Sequence, residues 1–158
     1  MTSAHEPPPE RTGEDPLALD QQVCFALAVA SRNVIALYRP FLDPLGITHP
    51  QYLVMLALWE ETPLSVVQLS RRLSLEPATL SPLLRRLEAH GLITRERRHG
   101  DERTLDISLT ARGREIRADA ERIPEGVVAR LGMSQGELEG LRDVLHRLIS
   151  ASARATAG

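Results

Sequence analysis

No lysine occurs among the 158 residues; all 19 basic side chains are arginine. Every cation of the chain is therefore a planar, permanently charged fork, suited to gripping a carboxylate, a phosphate or a guanine edge through paired hydrogen bonds. Cysteine occurs once, at Cys24, which excludes an intramolecular disulfide framework and a multi-cysteine zinc centre. Aromatics are scarce at two Phe, two Tyr and one Trp, so the core must be built from Leu, Val, Ile and Ala, which favours helices. No apolar run reaches the roughly 18–20 residues that cross a bilayer, and no secretory leader is visible. A cytoplasmic location without membrane contact is the expectation. The histidines (His5, His49, His90, His99 and His146) include no pair at helical ligand spacing, so no metal is expected. No Ser-His-Asp order, phosphate-cradling glycine loop or nucleotide fingerprint is present. Neither catalytic residues nor a cofactor are therefore expected, and the chain does not read as an enzyme.

What is present reads as one globular domain, with 42% apolar and 25% charged residues. The net charge of −2 hides an uneven distribution. Residues 1–20 carry five acids against Arg11, whereas residues 64–112 carry nine arginines against six acids. Positive charge is concentrated mid-chain.

The first fifteen residues, with three consecutive prolines and no large apolar residue after Met1, read as a flexible tail. From about Pro16 to Leu42, Leu19, Val23, Leu27, Ala30, Val34, Leu37 and Phe41 recur at helical spacing, and Pro44 and Gly46 stop the pattern. Thr48 and Gln51 form a capping-box pattern opening a helix that is apolar nearly all round, with Tyr52 and Trp59 as core. Ser65 and Gln68 repeat the box before a short helix facing Val66, Leu69 and Leu73 inward. After a turn at "SLEP", a second short helix from Pro77 faces Leu80, Leu83, Leu84 and Leu87 inward and stops at Gly91, with Pro82 bending it. Residues 92–109 change to period two around "HGDE", the pattern of a β-hairpin. Helical spacing returns after Thr110, with a break expected at Pro124, and a Ser134–Glu137 box opens a last helix striped by Leu138, Leu141, Leu145, Leu148 and Ile149.

Two short helices, a tight turn and an arginine-rich hairpin make a winged helix-turn-helix within a mainly helical fold. Thr79, Ser81, Pro82, Arg85 and Arg86 lie on the polar side of the second helix, where guanidinium groups suit guanine edges and phosphates. The hairpin adds Arg95, Arg97, Arg98 and Arg103, and an arginine at a wing tip suits a narrow minor groove. The expected organisation is a tail over 1–15, an N-terminal dimerisation helix over 16–46, the winged unit over 47–110, C-terminal dimerisation helices over 111–153 and a tail over 154–158. The long apolar stripes at both chain ends imply a two-fold homodimer, whose two recognition helices would sit roughly 34–36 Å apart on a palindromic duplex.

The segment "LSRRLSLEPATLSPLLRRLEAHGLITRERRHGDERTLDISLTARG" resembles the MarR family of winged-helix regulators, over about residues 16–150 of the chain. The family's Asp-x-Arg wing signature stands here as Asp101 and Arg103, which implies an arginine entering the minor groove and an acid that helps orient it. The stretch "QVCFALAVASRNVIALYRPFLDPLGITHPQYLVMLALWE" resembles the organic-hydroperoxide-sensing branch, in which an N-terminal cysteine is the peroxide target; Cys24 holds that place.

Tyr38 follows Cys24 by fourteen residues, about 40° short of four helical turns and about 21 Å along the axis, so the two face one way without touching within one helix. An antiparallel second copy would bring one subunit's Tyr38 to the other's Cys24, where a donated phenol hydrogen bond favours the reactive thiolate. The branch carries a second tyrosine in "TYPQYLVM"; this chain has His49 there, and two readings stay open: an imidazole that serves as donor and, when protonated, favours the thiolate further, or a substitution that loses or alters the tuning toward peroxide. The expected function is a DNA-binding repressor whose effector is an organic hydroperoxide or a small thiol. The alternatives are a family member released by a small aromatic ligand, with Cys24 structural, and a helical protein-interaction module that does not bind DNA.

Overall fold

The structure, a computed structural model, describes residues 15–158. The expected tail, Asp15 apart, lies outside the described residues. Helix α1 spans Val23–Leu42, seven residues later than the expected start at Pro16. A 3₁₀ turn at Leu19–Gln21 precedes it, because extended Gln22 donates its side-chain amide to the carbonyls of Pro16 (2.8 Å) and Ala18 (3.1 Å). The chain forms two compact units that meet between Ala36 and Leu37, inside α1. Before the division, Val23, Phe25, Leu27 and Ile35 are exposed.

Beyond it, α1 ends in a 3₁₀ turn at Asp43–Leu45 and left-handed Gly46. Helix α2, His49–Glu60, starts on the expected box: the Gln51 amide donates to Thr48 Oγ1, and the Thr48 amide donates to Gln51 Oε1 at 2.9 Å. Its burial runs nearly all round, and Val54, Met55 and Leu58 have no exposed surface, each contributing about 1.5–3 kcal/mol. Strand β1, Leu64–Ser65, leads into α3, Val66–Leu73, capped by the second box. Left-handed Ser74 turns the chain into α4, Pro77–Ala89, which passes through Pro82 without interruption.

Strands β2, Ile93–Arg98, and β3, Asp101–Leu109, form the expected hairpin around His99 and Gly100. Sequence pattern did not reveal that β1 adds a third antiparallel strand, in the order β1-β3-β2, with Leu64 opposite Ile107. Two residues are too few for alternation to register. After β3 come α5, Ala111–Glu115, α6, Arg117–Ala120, and α7, Ile123–Leu131; Pro124 occupies the first turn of α7, so the break falls just before it. Helix α8, Gln135–Thr156, opens on the third box and runs past Ala153, where a tail was expected. It buries none of its residues, and Leu141, Val144, Leu148 and Ile149 stand exposed along it.

One core joins Leu42 and Ile47 to α2, Leu69, the inner face of α4, Ile93, Ile107 and Leu109, and it continues into Ala120, Ile123 and Val127. The wing is thus rooted in the same core as the helices that follow it. No helix among the described residues is long and apolar enough to cross a membrane.

At the root of the wing, Gly113 donates its amide to Thr110 Oγ1 (3.0 Å) and accepts the Trp59 indole N–H on its carbonyl (2.8 Å). A Cβ at Gly113 would stand 2.1 Å from the Leu92 carbonyl oxygen, which is backbone and has little room to yield. Gly113→Ala is expected to destabilise the fold by about 1–3 kcal/mol, read as a lower urea midpoint at unchanged slope.

Candidate nucleic-acid interface

The outward side of α4 presents Thr79, Pro82, Arg85 and Arg86 exposed, with Ser81 half-buried. Inward Leu80, Leu84 and Leu87 anchor that face on the core. Among the described residues, neither Arg85 nor Arg86 forms an ion pair or a side-chain hydrogen bond. Pro82 removes the helical hydrogen bond that a residue there would give to the Ala78 carbonyl, yet α4 continues to Ala89.

The four wing arginines differ in their surroundings. Arg95, expected to face DNA, is held within the protein: its Nε and Nη2 lie 2.8 and 2.7 Å from Glu88 Oε2. Arg98 grips Asp106 across the hairpin with two bonds of 3.0 and 2.7 Å, beside an irregularity in strand register between Arg97 and Arg98. That pairing holds the Asp106 carboxyl below the ordinary carboxylate range. Arg97 donates to the Glu102 carbonyl. Arg103 is exposed, and among the described residues its guanidinium has no protein partner.

Asp101 orders the strand that carries Arg103. Its carboxylate accepts the Thr104 hydroxyl (2.6 Å) and the Arg103 backbone N–H (3.2 Å), and the Thr104 bond foremost lowers its pKa. The acid fixes the backbone at Arg103 and leaves the guanidinium free. The tip therefore offers a free cation on a stiff support.

The residues expected at a redox site separate into two groups. Cys24 is exposed in the first turn of α1 and belongs to the unit before Leu37. Tyr38 and His49 lie in the other unit and pack edge to face, their ring centroids 4.8 Å apart. Tyr52 continues the row 5.9 Å from Tyr38, and Trp59 follows 6.3 Å from Tyr52. Burial pushes the His49 pKa below its ordinary 6.5, which disfavours the protonated ring. Burial, with a contribution from Tyr38, raises the Tyr52 phenol.

Sequence pattern missed Glu88 and Asp106 as arginine partners. The available signal was alternation: Arg95 follows Ile93 by two on the inward face of its strand, where an apolar residue is usual.

The MarR family model matches residues 47–105. The organic hydroperoxide resistance transcriptional regulator of Bacillus subtilis (strain 168) is 43% identical over 136 residues, covering 85% of this chain and 92% of its own. Among solved structures, reduced AbfR bound to DNA, a Staphylococcus epidermidis protein, is 34% identical with a TM-score of 0.71, covering 85% of this chain and 94% of that one. The disulfide-formed AbfR is 37% identical with a TM-score of 0.60, covering 83% and 92%.

The depressed His49 pKa has a measurable consequence. Below pH 6.5 the unfolded chain binds a proton at this position before the folded chain does, so stability falls with pH until the folded ring protonates as well. His49→Gln is expected to remove part of the loss in urea midpoint between about pH 7.5 and about pH 5.5.

Proposed function

Because the chain belongs to the MarR family of DNA-binding transcriptional regulators, we propose that it is a homodimeric repressor that releases a palindromic duplex when an organic hydroperoxide oxidises Cys24. The observation that carries the DNA-reading half is the sorting of arginines. Arg95 and Arg98 are tied to Glu88 and Asp106, whereas Arg85, Arg86 and Arg103 have no ion-pair partner among the described residues. Free guanidinium groups on a short helix and on a wing tip match the two grooves of a duplex. Thr79, Ser81 and Pro82 complete the helix face toward base edges, and Arg97 lies beside the phosphates.

A second copy covers what one copy leaves bare: the exposed apolar residues of α1 before Leu37 and the stripe of α8. A two-fold pairing of these helices also sets two recognition helices one turn of duplex apart.

The sensor half draws on the likeness to the Bacillus subtilis regulator and on the exposure of the single thiol. The Cys24 thiolate attacks one peroxide oxygen, the O–O bond breaks, and the alkoxide leaves as the alcohol after taking a proton. Sulfur, oxidised by two electrons, becomes a sulfenic acid. A small thiol then condenses with it to a mixed disulfide and water. Tyr38 of the partner subunit donates its phenol hydrogen to the Cys24 sulfur, and the partner's His49 packs against that phenol and sets its orientation. A bulkier sulfur at the subunit boundary respaces the recognition helices and lowers affinity.

A second possibility has its own observation: Tyr52, Leu56, Trp59, Arg117 and Pro124 line an apolar cleft of about 310 Å³. Glu60 and Glu121 also line it, and Glu121 pairs with Arg117, so a small aromatic ligand without a net negative charge would suit it. Release of the Cys24→Ser variant by such a ligand, and not by peroxide, would favour that effector.

Arg103→Ala is expected to weaken duplex binding about tenfold and to lower the slope of log affinity against log salt by about one, with an unchanged melting temperature. Unchanged affinity removes the wing from the interface. Cys24→Ser is expected to bind the duplex like the wild type and to ignore cumene hydroperoxide, while wild-type Cys24 gains the mass of one oxygen. If the variant is released as readily as the wild type, Cys24 is not the sensor.

A further inference from the structure

Alternation along β2 puts Arg95 on the face of Ile93, opposite fully buried Ile107. An apolar side chain is what such a position calls for, and an arginine there must carry its charge to water or to a partner. Glu88 is equally out of place, because it stands in the last turn of α4, where the helix dipole disfavours negative charge. Each locally unfavourable residue satisfies the other, through two contacts of 2.8 and 2.7 Å on one carboxylate oxygen.

The pair straddles a joint. Only His90, Gly91 and Leu92 separate α4 from β2, and Gly91 is left-handed, with φ of 72°. On the near side the joint is closed by Gly91 N–H to the Glu88 carbonyl (2.9 Å), Leu92 N–H to the Leu87 carbonyl (3.0 Å) and the Thr110 hydroxyl to the Gly91 carbonyl (2.6 Å). Glu88 and Arg95 close it on the far side, as a strut between helix and strand. The sequel along the hairpin is stiff as well, through Arg98 on Asp106.

We propose that Glu88 is a positioning residue for DNA reading: held on Arg95, it sets the angle at which the wing leaves the recognition helix, and so the spacing of Arg85 and Arg86 from Arg103. The inference rests on the DNA-reading role above. Both side chains are partly exposed, at 27% for Arg95 and 38% for Glu88, and ion pairs so placed contribute little to global stability. What the pair governs is geometry. Without Glu88, Arg95 becomes a loose cation beside the duplex and adds sequence-independent attraction.

The test uses full-length protein and two probes. One is a duplex of about 30 base pairs enriched by the wild type from a randomised pool, long enough for two half-sites; the other is a random-sequence duplex. Glu88→Gln is expected to lose about tenfold on the enriched duplex and to hold or gain affinity on the random one, with a salt slope there steeper by about one. The swap Glu88→Arg with Arg95→Glu is expected to restore the enriched-duplex affinity. A Glu88→Gln ratio of enriched to random affinity equal to wild type overturns the proposal. So does a swap variant that fails as badly as Glu88→Gln, or a Glu88→Gln chain that unfolds by circular dichroism, which would make the pair a folding element. If the wild type enriches no sequence at all, the DNA-reading role itself falls, an outcome distinct from these.

Discussion

The approach of Gly113 to the Leu92 carbonyl is the constraint on which the arrangement of α4 and the wing depends. With no Cβ, the backbone of α5 lies against the first residue of the wing root, and its carbonyl remains open to the Trp59 indole. Three parts of the chain meet there: the end of the buried helix α2, the base of the hairpin, and the start of the helices that lead to α8. Thr110 adds its hydroxyl to the Gly91 carbonyl and caps α5 on Gly113. The wing is therefore a lever fixed at its base by backbone contacts, which scarcely deform.

Outward from that base, stiffness is supplied by charge rather than packing. Arg95 on Glu88 braces the joint, Arg98 on Asp106 braces the ribbon, and Asp101 sets the backbone of the strand that carries Arg103. An all-arginine chain suits this economy, since the same fork that binds a phosphate also makes a two-bonded strut. Whether an arginine is held within the protein or left free is decided by the carboxylate nearest to it in the fold.

Much of this was legible in the residues. Three capping boxes, at Thr48, Ser65 and Ser134, located helix starts to the residue, because the box is a local hydrogen-bond code. The hairpin followed from alternation about His99 and Gly100. The start of α1 was misplaced because apolar spacing continues back to Leu19, while Gln22 satisfies the Pro16 and Ala18 carbonyls outside the helix. Strand β1 was invisible because pairing with β3, not its own pattern, makes it a strand. At the interface, residue types along α4 and the wing were readable, but the partners that hold some of them back were not. Glu88 and Asp106 lie seven and eight residues from their arginines but on a different element in each case, so no single period relates the partners. The lowered pKa of His49 likewise comes from tertiary burial.

Trp59, whose indole joins α2 to the wing root, is the chain's sole tryptophan. The protein's ultraviolet emission near the red edge of excitation thus comes from one indole, half-buried, with Tyr52 beside it and a single carbonyl on its nitrogen. Any loosening of the wing base from α2 would change the polarity and quenching around that ring, so the molecule carries an intrinsic optical gauge at the point where the wing is anchored.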